Sequence, residues 1–410
     1  MHYSRKTKYI LVLVLFFIIF LESIFFSYFY FISNDRENLK NYSEKRNGSL
    51  SYKYFNEIGL VLPKPNKKTI HYTNEFLDTF ETKDVFNNGM GFFDDGIDER
   101  SIKAVALGDS FTRGVGSLDN LKYGWVELVE KNFDKIDIFN LGGGIGINDQ
   151  SYSYEKLKSL LDHNLVIYNF FSGGDYFDNL SDIFYPFYLK NNFDKHGKEK
   201  TQKIVNDLNI RHGYKHYLEY LNNNKVTSYT VYFFLKVADF LNAKGFVNTY
   251  KFKYKIPISE ARTKKVSNEL FDLYLNNKTE KNCGKKYCFV ENKNFEDSKK
   301  KNMIIKNTSE KINNLFYKLQ KEDKDFLLII HPSARNLLPE LTKVNYNTID
   351  QKMISLLDKR IKILDLKKDL SNYQNINKNY KIFYKHDGHY TLAGYKLVSE
   401  IISAYLKKNF

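Results

Sequence analysis

The sequence predicts a three-layer α/β/α fold, a central parallel sheet of about five strands, with one transmembrane helix ahead of it. Three observations predict this. Short apolar runs occur at 102–107, 136–141, 166–171, 326–330 and 361–366. Each is brief, rich in β-branched residues and bounded by Gly, Asp or Pro, so each reads as a buried strand. Helical periodicity falls between and after them, at 125–132, 150–161, 310–320, 350–359 and 392–406. Such alternation gives a parallel sheet covered on both faces. The third observation is an apolar run at 9–32, broken only by Ser23, Ser27 and the single charge of Glu22.

That first run would span about 36 Å as a helix, enough for a bilayer core of about 30 Å. Glu22 would cost roughly 2–3 kcal/mol there, which the surrounding Leu, Ile and Phe outweigh. A charge inside a spanning helix also marks a place for a partner among other membrane proteins. A cleaved signal peptide is the rival reading, but no small-x-small cleavage site lies in the aromatic stretch that ends the run. Arg5, Lys6 and Lys8 precede the run, and a nearly neutral Asn34-Asp35-Arg36-Glu37 follows it. The basic side stays in the cytoplasm, so the expectation is a single-pass membrane protein with its body outside.

Residues 1–33 thus read as cytoplasmic tip and signal anchor, the polar 34–57 as a stalk, and 58–410 as one folded domain. Between the third and fourth strands lie more than 150 residues, too many for a simple crossover. Residues 180–305 therefore read as a large insertion, either a lid or substrate platform or a surface decoration, with a helix expected over 228–241. Cys283 and Cys288, the only two cysteines, stand close enough to form a small disulfide in an oxidising compartment. No histidine lies nearby to complete a metal site with them.

A chain that is 42% hydrophobic with only 6 Pro is a folded body rather than a disordered one. Its net charge of +15 suits anionic lipid headgroups or acidic glycans. No zinc-ligand cluster, helix-turn-helix spacing or RNA-binding signature accompanies that charge, so nucleic acid is excluded as a partner. The charge reads first as a solvated basic surface.

Gly108-Asp109-Ser110 follows the first strand directly, and Asp387-Gly388-His389 opens the last helix. Ligands of an open parallel sheet bind at the carboxyl ends of its strands, where Ser110 would be presented. Serine is a weak nucleophile and needs a base, which in turn needs an orienting partner. His389 and Asp387 supply that pair. His386 is the alternative base, and His386, Asp387 and His389 together form a metal site only if a fourth ligand exists. Alone, Asp109-Ser110 would be an ordinary helix cap. Asn140-Leu141-Gly142-Gly143-Gly144-Ile145-Gly146 follows the second strand, where backbone amides can converge on an oxyanion. A plain turn is the alternative, because the spacing fits neither a P-loop nor a dinucleotide fingerprint. Ser172-Gly173-Gly174-Asp175 follows the third strand at the same end of the sheet.

In these blocks the chain resembles the SGNH/GDSL hydrolase superfamily, over roughly residues 100–408 apart from much of the insertion. The resemblance implies a flavodoxin-like sheet and no cofactor or metal. It also implies Ser110 as nucleophile with its own amide in the oxyanion hole, and Asp387 and His389 as the rest of the triad. The family's second oxyanion donor is a glycine amide five positions after the Asn. That position is Ile145 here, so Gly144 takes the role after a one-residue shift. The family's third donor is an Asn side chain, and the matching position is Gly174. Losing such a donor costs about 10²–10³ in turnover, unless Asn169 or Asn179 replaces it. The implied function is a membrane-anchored esterase or O-acyltransferase acting on an ester substrate, an O-acetylated cell-surface glycan above all. The competing class is a catalytically silent component of a surface-polysaccharide pathway, which Gly174 favours. A lipase acting at the membrane is supported by tethering alone.

Overall fold

The computed structural model describes residues 5–27, 45–47, 52–55, 57–72, 75–143, 146–180, 279–283, 288–337, 344–376, 381–385 and 387–410. It opens with α1 (Arg5–Ser27), then β1 (Lys45–Asn47) and two antiparallel pairs, β2 (Tyr52–Phe55) with β3 (Leu60–Pro63) and β4 (Lys68–Tyr72) with β5 (Leu77–Glu81). The α/β body runs β6 (Ile102–Leu107), α2 (Ser110–Arg113), α3 (Asn120–Tyr123), α4 (Trp125–Asn132), β7 (Ile136–Asn140), α5 (Ile147–Leu157), β8 (Leu165–Phe171) and α6 (Asp175–Asp178). After the hairpin of β9 (Thr279–Cys283) and β10 (Cys288–Asn292) it continues with α7 (Ser298–Lys321), β11 (Asp325–His331), α8 (Ala334–Leu337) and α9 (Tyr346–Ser355). It closes with β12 (Lys362–Asp365), α10 (Lys367–Ile376) and α11 (Leu392–Asn409).

Five strands form one parallel sheet in the order β12-β11-β8-β6-β7. Alternate residues serve opposite faces, as a pleated strand requires. Val105, Leu107, Val166, Tyr168, Leu328 and Ile330 pack under α5, α7 and α9 through partners such as Tyr154, Ile312 and Met353. Ala104, Ala106, Ile138, Ile167, Leu327 and Ile329 face Trp125, Val129, Val398 and Ile402 of α4 and α11. Complete burial of such Val, Leu and Ile side chains stabilises by about 1.5–3 kcal/mol each, so the sheet centre is the rigid part of the molecule. The β7 edge is buried and capped by side chains. Glu130 accepts the Ile138 amide at 2.6 Å, Asp94 accepts the Asn140 amide at 2.7 Å, and Arg100 donates to the Ile136 carbonyl at 2.7 Å. These bonds leave β7 a poor template for another chain.

All five expected strands and the helices between them are present, with two boundary corrections. The folded body reaches back into the span read as stalk, because β2 lies there and Phe55 is buried in the core. The expected insertion end is too late: α7 begins at Ser298, and Ile304 and Ile305 are fully buried against the sheet. Hydrophobic periodicity marked only the later turns, because the start of this helix is lysine-rich. The helix expected at 228–241 lies outside the described residues, as do residues 181–278 of the insertion.

The transmembrane helix expected over 9–32 is not found: among the described residues no helix is long and apolar enough to cross a membrane. Within α1, the continuous run with described side chains is 13–24, or about 18 Å of helix. Its side chains from Leu13 to Phe20 are exposed. In the β9–β10 hairpin, Cys283 is the direct cross-strand partner of Cys288.

Candidate active site

The first and third strands of the body, β6 and β8, are adjacent, with β7 on one side and β11 on the other. The strand order therefore reverses beside the end of β6, and Ser110 is the third residue beyond that end. Asp109 caps the short α2 by accepting the Phe111 amide at 2.9 Å, so the expected helix cap and the presented serine coexist. Gly108 is required here, since a Cβ would lie 2.0 Å from Thr112 Oγ1.

His389 arrives from the far end of the chain on a short loop. The Phe383–Tyr390 bridge closes that loop, and Tyr384 N–H donates to the His389 carbonyl at 2.9 Å. Ser110 Oγ lies 2.7 Å from His389 Nε2. On the other side of the ring, His389 Nδ1 bonds the Asp387 carboxylate, whose side chain is only 7% exposed. Burial alone would lower the pKa of His389. The Asp387 carboxylate outweighs it, with Asp109 and Asp78 adding, and the net direction is up from the ordinary histidine value. Phe111 packs under the imidazole at 4.8 Å between ring centres and stacks on Phe171 at 4.2 Å. The alternative base, His386, lies outside the described residues. Among the described residues no group of three His, Cys, Asp or Glu could hold a metal ion.

The glycine-rich block after β7 is tied to the serine helix. Asn140 Nδ2 donates to the Thr112 carbonyl at 3.0 Å, while Asn140 Oδ1 accepts the Gly142 amide at 2.9 Å. Gly143 N–H donates to the Gly108 carbonyl at 2.9 Å. Two amides of the block are thus spent on holding the loop. Gly144, the expected donor, lies outside the described residues.

The third block departs from the expectation in a defined way. Gly174 caps α6 with φ −128° and ψ −42°, ordinary values for any residue. A Cβ there would meet only Phe171 at 3.5 Å and the Asp178 carboxylate at 3.7 Å. Asp175 turns inward and accepts the Phe171 amide at 2.8 Å. Its carboxyl is driven up by burial and by Asp109 and Asp178. Asp178 is pushed up to about 7 by burial and by Asp109. Asn169 is buried: one N–H of its amide donates to the Leu107 carbonyl at 3.1 Å, and its Oδ1 accepts from His331 at 2.8 Å. Asn179 is buried, and its Oδ1 accepts the Ile147 amide at 2.8 Å.

Several residues that pack or hydrogen-bond around the site were missed in the sequence. His331, at the carboxyl end of β11, is fully buried, and burial pushes its pKa down to about 3. It is neutral, and because an amide oxygen only accepts, Nε2 carries its proton. Its position at a strand end was a readable signal. Arg335 donates to the Gly173 carbonyl and, at 2.8 Å, to the Tyr346 hydroxyl. Glu75 and Asp78 lie outside every motif and had no signal at all.

The described body is an α/β fold whose five-stranded parallel sheet brings Ser110, His389 and Asp387 together at one end. Solved structures similar to this chain include these three. The lipase/acylhydrolase from Enterococcus faecalis is 12% identical with a TM-score of 0.34, covering 75% of this chain and 96% of that one. A member of the lipolytic protein G-D-S-L family from Veillonella parvula DSM 2008 is 11% identical with a TM-score of 0.34, covering 75% and 100%. A family two carbohydrate esterase from Clostridium thermocellum, in complex with cellohexaose, is 10% identical with a TM-score of 0.33, covering 76% and 64%. No family model matches the chain, and no curated protein does.

Proposed function

We propose that the protein is a serine acyl-ester enzyme, a hydrolase or O-acyltransferase, with Ser110, His389 and Asp387 as its triad. The observation that carries this is the 2.7 Å contact between Ser110 Oγ and His389 Nε2, with the Asp387 carboxylate on the opposite ring nitrogen. Asp387 keeps the proton on Nδ1, so Nε2 is free to take the serine proton as Oγ attacks the ester carbonyl. The imidazolium then protonates the leaving alcohol, and an acyl-serine remains. Water, or a second alcohol, gives its proton to Nε2 and attacks the acyl-serine; the acyl–Oγ bond breaks, the acid or new ester leaves, and the imidazolium returns the proton to Ser110 Oγ. The Ser110 amide and the glycine-rich block beside it stabilise the oxyanion.

The proposed substrate is an O-acetyl group on a cell-surface glycan, reached by a body outside the membrane. The +15 charge suits an acidic polymer, and the basic flank before the apolar N-terminal run supports that orientation. The cross-strand position of Cys283 and Cys288 supports a disulfide there. The second reading, a catalytically silent binding component, rests on Gly174.

A fluorophosphonate probe and 4-nitrophenyl acetate test the mechanism, beside Ser110→Ala and His389→Ala. Labelling and turnover that vanish in both variants are the expected result, and adding a sugar alcohol then separates transfer from hydrolysis. A folded wild-type protein that shows neither signal would favour the silent reading.

A further inference from the structure

The segment entering β5 holds both catalytic loops, although it lies ahead of the region that carries the family resemblance. Glu75 accepts the Lys385 amide on Oε1 at 2.8 Å and the Asp387 amide on Oε2 at 3.0 Å. Three residues on, the buried Asp78 accepts the Gly116 amide on Oδ2 and the Leu118 amide on Oδ1, the latter at 2.7 Å. One short stretch of extended chain therefore grips the loop that carries Asp387 and His389 with one carboxylate. With the next carboxylate it grips the loop that follows Ser110.

The two gripped loops also touch each other. Tyr384 packs against Phe76, tilted by 38° at 4.5 Å between ring centres, and donates its hydroxyl to the Gly116 carbonyl at 3.1 Å. Gly116 has φ +90°, and a Cβ on it would lie 2.5 Å from the Tyr390 carbonyl and 3.4 Å from His389 Cβ. Backbone here approaches backbone with no room for a side chain. Bonds from carboxylates to amides are the stronger, charge-assisted kind, and each of these carboxylates uses both oxygens. The Ser110–His389 contact joins loops 279 positions apart, so something must set their separation. The clamp contributes to this, beside the Tyr395 hydroxyl that donates to the Val115 carbonyl at 2.8 Å.

We propose that Glu75 and Asp78 are positioning residues that fix the Ser110 loop and the Asp387–His389 loop in register for proton transfer. The inference rests on the triad reading above. Three carboxylates face His389: Asp387 on its own loop, Asp109 beside the serine, and Asp78 from the clamp.

The test uses the full chain with Glu75→Ala, Glu75→Gln and Asp78→Asn. Three quantities are read: kcat and KM for 4-nitrophenyl acetate, the melting temperature, and the His389 imidazole titration by NMR. A displacement of about 1 Å between reacting groups costs about 10²-fold in rate. Glu75→Ala is expected to lose about that much in kcat with KM little changed. Glu75→Gln, which can accept one of the two amides, falls between it and wild type. In Glu75→Ala the His389 midpoint moves down as Asp387 drifts from the ring, and in Asp78→Asn it moves down as a facing charge is removed. Wild-type kcat together with an unmoved His389 titration in all three variants would overturn the proposal. If Glu75→Ala does not fold, the Glu75→Gln and Asp78→Asn titrations decide. If wild type itself shows no turnover, the triad reading fails. The clamp is then judged on the His389 titration alone.

Discussion

Ser110 Oγ stands 2.7 Å from Nε2 of His389 while the Nδ1 side of the same ring is held by Asp387. Phe111, the residue after the serine, lies against the imidazole. The ring is therefore gripped at its edge and along its face before any substrate arrives, and its freedom is limited to the proton it exchanges. Preorganisation of this kind lowers the barrier because no reorganisation is needed during the reaction.

The first prediction concerns pH. A base must be neutral to accept a proton, so kcat/KM rises with pH through the His389 midpoint. The carboxylates around the ring raise that midpoint above the ordinary histidine value, which is about 6.5. The acidic limb should therefore be centred above that value. Asp387→Asn removes the charge that raises it and permits the wrong tautomer. The limb should move to lower pH, and turnover should fall by about 10⁴-fold. A limb in the same place in Asp387→Asn would assign the midpoint to another group.

Gly174→Asn is predicted to raise activity. The backbone at 174 suits any residue, and a Cβ there makes only ordinary contacts with Phe171 and Asp178. The Asn amide would point where the family's third oxyanion donor belongs, a change worth about 10²-fold or more in kcat. KM should change little, because the bond strengthens in the transition state. Unchanged turnover would mean that a group already present supplies the donor. Asp178 is then the first to mutate, since its carboxyl occupies that space and is half protonated near pH 7.

Arg335 secures the same block from behind. Its guanidinium lies 4.1 Å over the Tyr346 ring and donates to the Gly173 carbonyl. Below it, Asp350 accepts from Ser172 Oγ at 2.7 Å, from Asn336 at 2.7 Å and from the Tyr176 hydroxyl at 2.8 Å. Arg335→Met keeps much of the stem volume but leaves buried acceptors unpaired, at roughly 1–3 kcal/mol each. Denaturant midpoints should fall accordingly. Arg335→Lys should recover little, since an ammonium can neither fork nor stack as the guanidinium does.

Much of this was legible because the signal was local. β6 coincides with the apolar run 102–107, and Asp109-Ser110 and Asp387-Gly388-His389 place the reacting groups without any tertiary knowledge. The residues that escaped act across the chain. Glu75 binds amides more than 300 positions away, and its own surroundings look like any polar approach to a strand. Asp94 accepts the amide of Asn140, yet nothing near Asp94 in sequence indicates an edge strand in need of capping. Asn169 looked like a spare donor because its amide carries no mark that one N–H is committed to the Leu107 carbonyl.

Stability should fall as pH rises from about 5 to 8. Four buried or partly buried carboxyls hold their protons unusually well, chiefly through burial: Asp350 titrates at about 6, Asp94 and Asp178 at about 7, and Glu130 at about 8. Their unfolded values lie near 4. Between those limits the native state binds more protons than the unfolded state, so the free energy of unfolding decreases with pH. Below about pH 4 both states are protonated and these groups contribute no slope. Above about pH 8 both are ionised, and the full penalty of burying the charges has been incurred. Neighbouring carboxylates add to it, as Asp137 and Asp94 do for Glu130. Melting curves in matched ionic strength should show the highest midpoint near pH 5 and a decline toward pH 8. Glu130→Gln keeps an acceptor for the Ile138 amide and cannot ionise, so it should flatten that decline. A midpoint that rises from pH 5 to 8 in wild type would mean that these carboxyls are ionised in the native state at neutral pH.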